Sequence, residues 1–274
     1  MFNTLLSEAG LSLSDVRLLR HQDNRAESGR TPYELWRDNR PAFELYQSHQ
    51  RVEGRRKFSS RYWASFVGTS DEDTLFVGIY ATKYRGLLER DTPQPHRSGT
   101  DKAGSCDAYD LTLDKSLNDL IGRLYVEWGA GFRAWVQRAD RQNKLVKELR
   151  SEFREPDFPG FMNFVRPLSR LAKLPSKWVS SLRSFKGIYL LTCPRTKEQY
   201  VGSATGEDGF WGRWEEYVRT GHGGNVALKS RDPSDYQVSI LEVAGTSSSP
   251  DEIRAMERRW KDKLQSKEMG LTRN

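Results

Sequence analysis

Apolar and polar positions follow two different periods along this chain, and the change of period divides it into parts. Tyr62–Val67 and Leu75–Tyr80 are rich in aromatic and β-branched residues, and polar Ser70–Asp73 joins them, which predicts a β-hairpin. Arg123–Glu127 and Phe132–Gln137, on either side of Gly129-Ala-Gly131, predict a second hairpin. Helices are expected where the spacing lengthens: from Thr31-Pro32-Tyr33-Glu34, a capping box with proline at the first helical position, over Pro41–Gln50, and over Lys144–Arg150. Asp91–Cys106, rich in Pro, Gly and polar residues, reads as a surface loop.

Beyond residue 184 the order is strand, strand, helix, strand, helix. The strands are expected at 187–193, 199–203 and 236–243. The first of these helices runs from Asp208 to Thr220 and stops at Gly221-His-Gly-Gly224. The last has Ser249 as N-cap, Pro250 next and Glu252 at the third position, and carries an apolar stripe of Ile253, Met256, Trp260 and Leu264. The expected organisation is α+β: a β-rich, barrel-like domain over residues 1–155, a linker with helical turns over 156–184, and a small antiparallel sheet flanked by helices over 185–274.

Composition narrows the partners. The formal net charge is +7, from 44 Lys+Arg against 37 Asp+Glu, which suits a polyanion such as DNA. Cys106 and Cys193 have no metal-ligand spacing. No apolar run is long enough to span a bilayer, and no signal-like segment opens the chain, so a soluble cytoplasmic protein is expected.

The second part holds the candidate chemistry. Tyr189 and Tyr200 lie on the two strands of a predicted hairpin, and pairing about Pro194-Arg195 sets them opposite each other on one face. Arg213 and Tyr217, four residues apart, share a helix face. Glu257 falls within the apolar stripe of the last helix, where a carboxylate must be paired or bound to a metal. Arginine can hold a phosphate in bidentate fashion, and a carboxylate can hold a divalent cation. Each residue alone has a plainer reading: packing tyrosines, a surface arginine, a glutamate in a structural ion pair.

In this order, Gly187-Ile-Tyr189, Tyr200-Val-Gly202, Arg213, Tyr217 and Glu257, residues 186–274 resemble the GIY-YIG nuclease domain. The resemblance implies a DNA endonuclease with Tyr189 as proton acceptor and Tyr200 and Tyr217 orienting water and phosphate. Arg213 would stabilise the transition state, and Glu257 would hold one Mg²⁺ or Mn²⁺. It also implies a terminal asparagine, for which Asn274 stands available, with Thr272 as the alternative. Cutting both strands with one active site implies a homodimer on DNA or sequential nicking. Restriction of foreign or modified DNA fits best among the roles of such enzymes. Repair or homing cleavage, and a nucleic-acid-binding module with a weak or inactive nuclease fold, are the alternatives.

Further contacts to DNA are expected from Arg195 and Lys197 at the hairpin tip, from His222, and from the basic Arg55-Arg56-Lys57 beside aromatic residues. The plainer readings are a solvated tip for Arg195 and Lys197, a turn histidine without a role for His222, and a charge run on a solvated loop for Arg55-Arg56-Lys57. The first domain, with Trp63, Phe66 and Phe76 on one predicted hairpin and Trp128 and Trp135 on another, resembles the PUA/EVE-like small barrels that read a flipped base. That resemblance implies an aromatic cage stacking on an extruded base.

Overall fold

The computed structural model describes residues 1–22, 29–71, 73–129, 134–220, 236–266 and 268. The fold is mixed α and β. The chain divides into two compact units, Met1–Arg154 and Glu155–Asn274. No helix among the described residues is long and apolar enough to cross a membrane.

The first unit is built on one sheet that curls into a half barrel. Its strands are β1 (Val16–His21), β2 (His49–Arg51), β3 (Tyr62–Gly68) and β4 (Thr74–Leu87), a small ribbon of β5 (Thr92–Pro93) and β6 (Thr100–Asp101), then β7 (Cys106–Asp114), β8 (Leu124–Glu127), β9 (Val136–Arg138) and β10 (Leu145–Leu149). The main path runs β10-β8-β4-β3-β1-β9, with β7 and β2 branching from β4. Only β1 and β3 pair in parallel; every other neighbouring pair in the sheet is antiparallel. The helices are α1 (Phe2–Glu8), α2 (Pro32–Asp38), α3 (Arg40–Ser48) and α4 (Arg55–Phe58). The expected capping box opens α2: the Thr31 hydroxyl accepts from the Glu34 amide, and the Glu34 carboxylate accepts from the Thr31 amide.

Two expectations for this unit fail for one reason, which is pairing at a distance. Residues 144–150, with helix-forming Lys, Glu and Leu, form no helix: Leu145–Leu149 is β10 instead, because the chain aligns against β8. With that place taken, β9 leaves β8 and pairs with β1, so the hairpin expected between 123 and 137 does not form.

Of the five residues expected to form an aromatic cage, four are core, and Trp135 is 37% exposed. Trp63, Phe66 and Phe76 are completely buried and Trp128 nearly so. Their ring faces are spent on one another: Phe66 lies 5.5 Å from Phe76 and 5.7 Å from Trp128, and Trp63 lies 4.8 Å from Tyr109.

His21, at the end of β1, is buried against the rings of Phe43, Tyr46 and Trp135, and its Nε2 has no hydrogen-bond partner. Burial lowers its pKa to about 4, against a smaller opposing effect of Gln47. Below the unfolded pKa of ~6.5 the unfolded chain takes up a proton that the folded chain refuses. Stability should therefore hold above that pH and fall as pH drops toward 4, by roughly 3 kcal/mol in total. Urea unfolding midpoints of the first unit followed from pH 7 to pH 4 check this. His21→Phe should remove most of that slope, and an unchanged slope would place its origin elsewhere.

The second unit has a four-stranded antiparallel sheet: β11 (Val165–Pro167), β12 (Gly187–Thr192), β13 (Gln199–Ala204) and β14 (Gln237–Val243), in the order β11-β14-β12-β13. Its helices are α5 (Ser176–Ser184), α6 (Gly209–Thr220) and α7 (Pro250–Lys263). Residues 156–184, expected as a linker, supply β11, α5 and a large share of the core. Phe164, Leu171, Leu174, Trp178 and Leu182 are buried together with Tyr189, Phe210 and Trp214.

Alternation along the strands gives the sheet two faces. Tyr189 and Leu191 face α5 and α6. Ile188 and Val201 face Ile253 and Met256 of α7. Ser249 caps α7 through the expected capping box.

Candidate functional site

The hairpin β12–β13 pairs Tyr189 with Gly202 and Leu191 with Tyr200. The two tyrosines therefore share a face as diagonal neighbours and are not directly opposite. What lies opposite Tyr189 is a glycine, and the geometry shows why. A Cβ on Gly202 would stand 2.5 Å from both Cζ and Oη of Tyr189 and 2.8 Å from Cε1 of Tyr200. Both rings close over the bare backbone of residue 202.

Two residues of α6 complete the cluster. The Tyr189 and Tyr217 hydroxyls share a hydrogen bond of 3.1 Å. Arg213 Nε donates to Tyr189 Oη at 3.2 Å, and the guanidinium carbon lies 5.2 Å from the Tyr217 ring centroid. Arg213 Nη1 also donates to Glu216 at 3.1 Å. Trp214 seats the group from below, edge-on to Tyr189 at 6.1 Å and stacked on Phe164 at 5.3 Å.

Burial sets the chemistry of these phenols. Tyr189 is fully buried, and its pKa is raised by burial first and by neighbouring Tyr200 second, with Arg213 opposing. Tyr217 is raised in the same way, by burial and then by Tyr189. Both phenols stay neutral at physiological pH, so Tyr189 is a hydrogen-bonding group here and not a preformed phenolate. Arg213 keeps 32% of its side chain exposed.

Glu257 joins a different set. One of its oxygens accepts from the Ser203 hydroxyl, and the other lies 2.8 Å from Lys261 Nζ. Ser203 pairs with Ile188 and so points to the α7 face of the sheet. The structure thus brings Tyr189, Tyr200, Arg213 and Tyr217 together on one face and holds Glu257 on the other. The two groups meet at consecutive residues, Gly202 and Ser203, of β13, the last strand of the sheet. Lys261 and Ser203 escaped the sequence reading. Lys261 was visible in principle as the partner four residues beyond Glu257, and Ser203 as the residue whose parity sets it behind Gly202.

Of the other expected contacts, Arg195 and Lys197 lie exposed at the hairpin tip, where Lys197 adopts φ 62° and donates to Pro194 O at 2.7 Å. Arg55 serves structure: its guanidinium forms two bonds, 2.9 and 2.6 Å, to the buried carboxylate of Asp107, and holds the Asp107 pKa below the ordinary range. Arg56 and Lys57 are exposed on α4. His222 and Asn274 lie outside the described residues.

Gly202→Ala is expected to cost about 1–3 kcal/mol, because the new methyl must push the two tyrosine rings off their seats. Thermal unfolding of the variant checks this. An unchanged midpoint would mean that the rings are not packed against residue 202.

Compared with known protein families, with curated proteins and with solved structures, the chain matches none.

Proposed function

We propose that the second unit hydrolyses phosphodiester bonds in DNA, in the manner of the GIY-YIG nucleases that its motif resembles. The observation that carries this reading is the seating of Arg213: its guanidinium is held at Nε by Tyr189, lies against Tyr217, and remains a third exposed. A phosphate oxygen would take the place that Glu216 now occupies. The extra charge of a pentacovalent phosphorus would meet a guanidinium already oriented, which is how preorganised donors lower such barriers. Tyr189 and Tyr217 would donate or relay hydrogen bonds at the same point, and Tyr200 would line the approach. Glu257, reached around the edge of β13, would bind or orient the attacking water.

Magnesium or manganese, the cofactor that the resemblance implies, does not fit Glu257 as it is held. Among the described residues no three His, Cys, Asp or Glu side chains form a metal-binding group. An ammonium already lies 2.8 Å from one carboxylate oxygen, and the serine hydroxyl engages the other. A divalent ion here must first displace Lys261.

A second reading, binding of nucleic acid without cleavage, is favoured by the complete burial of the Tyr189 hydroxyl. One assay separates the two. Supercoiled plasmid is incubated with wild type, Arg213→Ala and Glu257→Ala in Mg²⁺, Mn²⁺ and EDTA. Nicked or linear product from wild type, lost in both variants, is the expected result. No product from wild type in any buffer, or equal product from all three proteins, would contradict hydrolysis at this site.

A further inference from the structure

Lys144, just before β10 in the first unit, is 4% exposed. Its Nζ donates to Trp128 O at 2.8 Å and lies 4.6 Å from the Trp128 ring centroid. That contact uses one ammonium hydrogen on a carbonyl and turns the charge toward an indole face. Among the described residues no carboxylate pairs with it. Arg20 of β1 is also nine-tenths buried, with Nε lacking any partner, and it lies near enough to repel Lys144. Burial first and this repulsion second lower the Lys144 pKa. Two buried cations that repel each other are costly unless an anion balances them.

A cavity of about 400 Å³ borders Lys144 and is lined by Trp128, Gln137, Arg138, Arg141 and Lys144 among others, with Arg20 behind its lining. Gln137 pairs with Leu18 across β9 and β1 and so shares the Arg20 face. The carboxylate of Asp140 is engaged by Arg138, whose Nε donates to it at 2.9 Å. Arg141 is exposed at the rim. Trp128 is no stacking platform, since it is buried and Lys144 covers its face.

We propose that this cavity is a phosphate site that takes a backbone phosphate of nucleic acid, with Lys144 at its floor and Arg141 at its mouth. The phosphate oxygens accept from the unused Lys144 hydrogens and from the Arg141 guanidinium, and the attached sugar fills the remaining volume. This site lies wholly in the first unit and does not depend on cleavage by the second.

The test is binding by the full chain in EDTA, over a series of salt concentrations. A short oligonucleotide is compared with dAMP and with inorganic phosphate, for wild type, Lys144→Met and Arg141→Gln. Each variant should weaken oligonucleotide binding regardless of sequence and reduce the salt slope by about 1. Saturable binding of dAMP or phosphate that Lys144→Met abolishes would show that the pocket also takes free phosphate; binding of the oligonucleotide alone would fix the backbone as its source. Arg141 is exposed, so its variant keeps the fold, and a melting curve confirms this for both. Unchanged oligonucleotide affinity and salt slope in folded variants, with no binding of phosphate or dAMP, would overturn the proposal.

Discussion

Trp214→Ala is expected to remove about 3–5 kcal/mol from the second unit, enough to lower its melting temperature by roughly 10–20 °C. Trp214 is completely buried and touches three parts of the unit at once. It stacks on Phe164 from the 155–167 segment, tilts against Phe210 at 5.4 Å, and supports Tyr189 from β12. Truncation leaves a cavity that these rings cannot collapse into without releasing the sheet. Trp214→Phe is the informative companion. The indole N–H has no partner, so phenylalanine keeps the ring contact and discards an unsatisfied donor. Its cost should fall well below that of alanine. Equal losses from the two variants would show that ring packing is not what Trp214 contributes.

On the proposed hydrolysis, Arg213→Ala is expected to reduce cleavage by about 10²–10³-fold with little change in folding. The side chain is partly exposed, and on its removal the Tyr189 hydroxyl keeps its bond to Tyr217 while Glu216 stays within reach of water. Arg213→Lys should recover only part of the loss. A lysine keeps the charge but not the planar fork that is held at Nε while presenting other N–H groups. Single-turnover cleavage rates for the three proteins decide this. Full activity in Arg213→Lys would reduce the arginine to a point charge.

Local signals were legible in the sequence, and distant pairing was not. The capping boxes at Thr31 and Ser249 formed as read, because each involves atoms within one turn. The stripe of Ile253, Met256 and Trp260 packs as its spacing requires. The fate of residues 144–150 depended instead on pairing with β8, and helix propensity misled there. Sequence order brought Glu257 into one list with the tyrosines and Arg213, yet strand parity holds it on the opposite face. That division rests on the register of β12 against β13, which the hairpin tip sets. The buried charges were the least visible. Asp107 and Lys144 lie among ordinary polar residues, and only folding shows one paired with Arg55 and the other lacking a described acid.

The most direct test asks whether the two faces of β13 serve a single scissile bond. Cleavage rates are measured for wild type, Arg213→Ala, Glu257→Ala and the double variant under one condition. Groups acting on one transition state are strongly non-additive, so the double variant should cleave about as slowly as the worse single variant. A double variant whose loss equals the product of the two single losses, or a Glu257→Ala protein as fast as wild type, would contradict a shared site.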